Sequence, residues 1–345
     1  MRFQRIQSCL GLVFILSAAT NIDAAALKIA TIAPDGTQWM QSMRTAASDI
    51  KERTEGRVVI KYYAGGVMGG DRKVMRKIRI GQLQGGVFTA NGLAERYRDI
   101  VIYGLPMIFQ SQEEVDYVRE RIDPVLSEGL EEAGFVSFGF AGGGFAMLMG
   151  SQPVTRLEDL RGRKVWAPEG DRISYEAMRA MDLAPVVLPV TDVLTALQTG
   201  LLEFIATPPI GAVALQWYTK VKYVTAFPFA YTLGLLVIDK RAFSRLEASD
   251  QEIVREVMTQ VYKDFETRNK ENNQQAEEAL AANGLQFVSL QADLITQWQE
   301  VVARANEKMG EEGLFSSELL AEVLSYLEEY RNGNGQTQVS VSEPE

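Results

Sequence analysis

The residue types that carry most protein chemistry are nearly missing from this 345-residue sequence, which has no histidine and a single cysteine, Cys9. That excludes a histidine base, an imidazole–thiolate zinc site and an internal disulfide. An enzyme built on this chain would depend on Asp, Glu, Lys, Ser or Tyr, and no pair of them stands at a catalytic spacing. The Gly-x-Ser-x-Gly elbow of serine hydrolases is missing too. Gly65-Gly-Val-Met-Gly-Gly70 lacks the Gly-Lys-Ser/Thr ending of a phosphate loop and the glycine order of a dinucleotide fingerprint. It reads as a turn opening a helix through Ile80, with Asp71 as the cap. A formal charge of −10 argues against nucleic acid as a partner. What remains is binding chemistry, and Trp166 is its best placed residue. It closes an apolar strand inside Arg161–Asp171, and Pro168 and Gly170 break the chain directly afterwards. In open α/β sheets ligands sit at such strand ends. Arg172, just beyond, could anchor a carboxylate; its plainer reading is a solvated residue in a first helical turn.

The elements that must position these residues begin after a leader. Arg2 and Arg5, the apolar run Leu10–Ala19 and Ala24–Ala26 read as a secretory signal peptide over 1–26, too short to span a bilayer. Export leaves a chain starting near Leu27 with no cysteine at all. Leu27–Ile32 alternates as a strand, Trp39, Met43, Ala46 and Ile50 recur at helical spacing, and Val58–Tyr63 is a second strand. Gly85–Ala90 is a third, with Asn91 at its carboxyl end, and Ser111 with Glu114 forms a capping box. Phe135–Phe140 and Phe145–Met149 are extended on either side of Gly142–Gly144. Alternating helices and strands from Ile173 to Tyr218 predict a second sheet domain. Tyr223–Ile238, the longest apolar segment, reads as two buried strands, one crossing between domains, and falls short of a membrane span. A capping box at Ser249–Glu252 opens a long helix with Ile253, Val257, Val261 and Phe265 on one stripe. Its polar half, Arg268–Gln275, fits either a helix lying across two domains or one reaching into solvent. Residues 331–345 read as a disordered tail.

In order and spacing these segments resemble the extracytoplasmic solute-binding proteins of TRAP transporters, the DctP type, over nearly all of residues 27–330. The resemblance rests on Leu27-Lys-Ile-Ala30 with Trp39, Gly66-Val-Met-Gly-Gly-Asp71 with Ile80-Gly-Gln-Leu83, and Leu105–Phe109 with Ser111 and Glu113. Leu157–Pro168 and Asp192–Gly200 are its most specific carriers. It implies an α/β, two-domain type II periplasmic-binding-protein fold with hinge strands, a long domain-spanning helix and an interdomain ligand cleft. Domain I would take 27–143 plus about 234–265, and domain II 144–233 plus about 266–330. It also implies a periplasmic binding protein without catalysis, metal or cofactor, which captures a small molecule and hands it to TRAP membrane permease subunits driven by sodium. A periplasmic ligand-sensing partner of a membrane receptor would share the fold.

The resemblance also marks a departure. Members of the family usually carry an arginine where this chain has Trp166, forked onto a ligand carboxylate, a contact worth about 1.5–3 kcal/mol. An indole has one N–H and no charge. Ile32, Val87, Ala146 and Val190 are apolar at positions matching family cleft contacts, and Thr207 replaces an amide. The same comparison puts Trp39, Phe88, Phe145 and Pro168 around the cleft with Trp166, and Asn91 at a strand end beside it. The expected ligand is therefore apolar or amphipathic, with an organic acid held by Arg172 as the alternative. Such departures resemble a branch of the family that pairs with a periplasmic tetratricopeptide-repeat protein and implies a lipid-like cargo. Trp217 and Tyr231 read as packing residues.

Overall fold

Residues 25–339 are described in a computed structural model. The expected leader lies outside them except for Ala25 and Ala26, which begin the first strand. Three short, mainly apolar segments, β1 (Ala25–Ala30), β2 (Val58–Tyr63) and β3 (Gly85–Thr89), run parallel with β1 in the middle. Helix Gln38–Arg53 crosses from β1 to β2 and buries Met43, Ala46 and Ile50 beneath Leu27 and Ile29. The remaining strands are β4 (Phe135–Ser137), β5 (Ala141–Gly150), β6 (Trp166–Pro168), β7 (Val186–Leu188), β8 (Phe204–Thr207), β9 (Tyr223–Asp239) and β10 (Gln286–Val288). The main sheet runs β2-β1-β3-β9-β5-β8, with β4 and β10 also on β9. β6 and β7 form a small parallel sheet that the Val165–Phe204 bridge joins to β8.

Two strands carry the chain across both domains. The end of β9 pairs antiparallel with β3, and its beginning pairs with the end of β5 and with β10. Opposite β9, the register of β5 jumps from Ala146↔Ala230 to Leu148↔Thr225, so Ala226–Phe229 stand out of the ladder. Pro228, which has no N–H to give, sits in that interruption. The segment expected as two strands is thus one strand with a bulge.

Helix Ala248–Ala282 packs through its polar half, where buried Asn269 donates to the Tyr231 hydroxyl, and on either side of it. The Glu266 carboxylate accepts from the Gly142 N–H of β5 at 3.0 Å and pairs with Arg119 at 2.7 Å, while Leu280 enters the second domain's core beside Trp166. The helix lies across both domains. It starts at Ala248 without a side-chain cap, so the box expected at Ser249 is unused.

The C-terminal segment departs from expectation. Helix Ser317–Val339 packs on the first-domain helix Gln112–Glu132, its Leu319, Leu320, Val323 and Leu327 sharing a core with Val115, Ile122 and Leu126. Residues 317–330 therefore join the first domain instead of the second, because their apolar stripe needs that partner. The helix also continues past Tyr330 into the expected disordered tail. There Arg331 donates to the buried Glu114 carboxylate at 2.7 and 2.9 Å and to the Ile108 carbonyl at 3.0 Å. Residues 340–345 lie outside the described residues. Among the described residues no helix is long and apolar enough to cross a membrane.

Candidate functional site

The carboxyl ends of β1, β2 and β3 lie together where the family resemblance puts one wall of the cleft. After β2 the chain turns through Gly65 and Gly66, with φ of +66° and +71°, a left-handed conformation that only glycine adopts at little cost. Their N–H groups donate to the Ala33 and Thr31 carbonyls, which fixes the loop on the end of β1. Lys77 Nζ donates to the Met68 carbonyl at 3.1 Å and holds its far side. Across the gap stands the second-domain turn Pro189–Thr191. A methyl group on Gly66 would lie 2.8 Å from Thr191 Cγ2, and one on Gly70 would lie 3.5 Å from Pro189 Cβ. The two domains meet at this rim.

Asp71 begins helix Asp71–Arg79 but does not cap it; Gly70 holds the cap position. Its carboxylate accepts from Thr89 Oγ1 at 3.1 Å instead. Burial pushes the Asp71 carboxyl up from 3.8 to about 6, partly offset by the Thr89 bonds. A perturbed carboxyl next to a cleft is a candidate ligand group. The sequence reading missed it because a Gly-Gly-Asp helix start looks the same whether or not the carboxylate caps.

The second-domain wall is built around Trp166. The ring is 4% exposed, its Nε1–H donates to the Leu188 carbonyl at 2.9 Å, and it meets Trp217 edge-on at 5.3 Å. Met149, Val193, Ala196 and Ile205 complete its surroundings, and Val190 packs against the same cluster. Trp166 therefore backs the wall, and its one donor is already occupied. Ile32, Asn91, Phe145, Pro168 and Val190 keep partly exposed side chains, while Ala146 and Thr207 are buried in the paired strands β5 and β8.

Three of the expected residues pack against the first domain's cores, Trp39 and Val87 while partly exposed and Phe88 fully buried. Trp39 stacks on Phe265 of the long helix at 5.5 Å, and Val87 joins it in a first-domain core. Phe88, the next residue on β3, enters the opposite core with Tyr231. Successive strand residues point to opposite faces, so Val87 and Phe88 cannot share one surface. Phe145 packs edge-on against Tyr231 at 5.3 Å. Trp217 and Tyr231 are buried, as read, and the Tyr231 hydroxyl accepts from Gln112 and Asn269.

The Arg172 side chain is 67% exposed, 4.0 Å from Glu176. Arg119 is buried at the crossing strands, paired with Asp123 and Glu266. Burial works against its charge, yet the two carboxylates more than offset this and raise its pKa. An open depression of about 610 Å³ lined by Arg96, Lys240, Arg241 and Arg245 lies at the end of β9, far along the sheet from the cleft. Among the described residues no three His, Cys, Asp or Glu side chains gather as a metal site. The arrangement can enclose and select a solute.

The profile of the DctP family, described as bacterial extracellular solute-binding protein, family 7, matches residues 29–312. The C4-dicarboxylate-binding periplasmic protein DctP of Rhodobacter capsulatus is 24% identical over 264 residues, 75% of this chain and 78% of that protein. The sugar-acid-binding protein of Advenella mimigardefordensis, solved with galactonate, superposes at a TM-score of 0.81 with 16% identity, covering 89% of this chain and 98% of that one. A TRAP periplasmic solute-binding protein of Desulfovibrio salexigens with bound orotic acid gives 0.78 at 19% identity, covering 88% and 99%. These likenesses show a shared fold over most of each chain.

Proposed function

The chain belongs to the DctP family of bacterial extracellular solute-binding proteins, binding proteins and not enzymes, and we propose that this member captures an apolar or amphipathic solute in its interdomain cleft. The observation that supports this most is Trp166. It stands where the family resemblance expects an arginine, it is buried, and its N–H already serves the Leu188 carbonyl. A carboxylate brought against this wall would lose hydration without gaining a countercharge, at a cost of several kcal/mol. The partly exposed Ile32, Phe145, Pro168 and Val190 offer apolar contact instead. The leader read over 1–26 would carry the protein to the periplasm, where the family works. A sodium-driven TRAP permease is the proposed recipient, with a periplasmic tetratricopeptide-repeat protein as a further partner.

The relatives bind organic acids, which favours a second reading in which Arg172 anchors a carboxylate. Thermal unfolding in the presence of C4-dicarboxylates, galactonate and orotate separates the two. The apolar reading expects no shift in Tm with any of them. A saturable rise with one acid, lost in Arg172→Ala, would assign the protein to organic acids.

A further inference from the structure

Helix Asp71–Arg79 carries Arg72, Lys73, Arg76, Lys77 and Arg79 against a single acid, Asp71, whose carboxylate is turned inward onto Thr89. Val74, Met75 and Ile78 are buried in the first domain's core, so the helical period leaves Arg72, Lys73, Arg76 and Arg79 side by side in solvent. Among the described residues Arg72 meets Glu95 at 3.5 Å, while Lys73, Arg76 and Arg79 have no acidic partner. On a chain of formal charge −10 this is a marked concentration of positive charge. Val67, in the glycine loop before the helix, and Ile80, directly after it, are 72% and 63% exposed, more than any other large apolar side chain among the described residues. At the Ile80 end the surface runs on. Gln84 donates to the Gly81 carbonyl at 3.2 Å and its own carbonyl accepts from the Asp239 N–H at 2.8 Å, which brings the helix end beside the depression lined by Arg96, Lys240, Arg241 and Arg245. There Lys240 and Arg241 are paired with Glu131 and Asp239, and Arg96 and Arg245 add net positive charge.

We propose that this face docks the first domain on an anionic lipid surface. Each cation gains from the negative potential of such a surface, and the gain fades within a Debye length of about 10 Å at 0.1 M salt. An acidic protein would satisfy the cations equally well, but it gives no reason for a valine and an isoleucine to stand in water at the two ends of the row. At a bilayer interface both side chains leave water between the headgroups. The same surface repels the rest of an acidic chain, so the contact also sets the orientation. Val67 belongs to the loop at the cleft rim, and docking therefore keeps that rim beside the bilayer. None of this depends on whether the cleft takes an apolar solute or an organic acid.

Cosedimentation of the chain from Ala25 onward with phosphatidylcholine vesicles, with and without phosphatidylglycerol, tests the docking. Binding is expected only with phosphatidylglycerol, and is expected to vanish in about 1 M salt, where the screening length falls to about 3 Å. Lys73→Gln and Arg76→Gln should each weaken it about fivefold. Ile80→Ser, at unchanged charge, should weaken it about fivefold as well. All three side chains are exposed, so an unchanged Tm confirms the fold of each variant. No binding to phosphatidylglycerol vesicles, or binding that Lys73→Gln and Arg76→Gln together leave unchanged, overturns the proposal. Binding that follows charge but ignores Ile80→Ser, and is matched by soluble polyglutamate, overturns the lipid surface and assigns the face to an acidic protein.

Discussion

Trp166 holds the second-domain wall with its ring and its N–H together, and the two contributions can be separated. Trp166→Phe keeps most of the packing but leaves the Leu188 carbonyl without its donor, and should cost about 1–2 kcal/mol in urea unfolding. Trp166→Ala opens a cavity beside Trp217 and should cost about 3–5 kcal/mol. Asp71 gives a pH signature. Its folded value, raised from 3.8 to about 6, means the folded chain keeps a proton that the unfolded chain has already released. That stability is present in full below about pH 4 and is lost as pH rises through 6. Asp71→Asn should therefore be more stable than the parent at pH 7, by about 1–2 kcal/mol, with the gap closing below pH 4; a gap that persists in acid contradicts this. Pro168 and Gly170 marked where the strand ends, but Trp166 opens β6 and does not close it, and the direction of its ring was not legible. Strand alternation shows that Val87 and Phe88 must part, yet which of them meets the cleft depends on helices distant in sequence.

At the level of elements, the long helix and the kinked β5 are joined by side chains that no local pattern predicts. Arg119 and Glu266 meet between a first-domain helix and the helix that spans both domains, and Glu266 also holds the Gly142 N–H. Arg119→Met would leave Asp123 and Glu266 facing each other without a cation, and should cost about 3–5 kcal/mol; a loss under 1 kcal/mol in urea unfolding would show that the pair is not structural. The apolar stripe of Ile253, Val257, Val261 and Phe265 announced this helix, whereas its polar half was ambiguous because its partners are glycines and buried polar groups of other elements. The last helix was found in sequence but assigned to the wrong body. Its anchor, Arg331 on the buried Glu114, joins residues far apart in the chain. Arg331→Ala should cost about 1–3 kcal/mol and speed limited proteolysis after Tyr330.

For the whole molecule, composition excluded histidine and cysteine chemistry, and the order of segments carried both the two-domain fold and the family. What they could not carry is the state of the cleft, since the contact of Gly66 with Thr191 belongs to the placement of one domain on the other. The central claim is that the wall backed by Trp166 accepts an apolar solute in place of a carboxylate. Its most direct measurement is native mass spectrometry of the protein purified from its own periplasm, followed by solvent extraction and identification of the released molecule. The account predicts an uncharged or weakly polar compound, released on unfolding and retained less well by Trp166→Phe. A stoichiometric dicarboxylate or sugar acid, held equally by the parent and by Trp166→Phe, would contradict it.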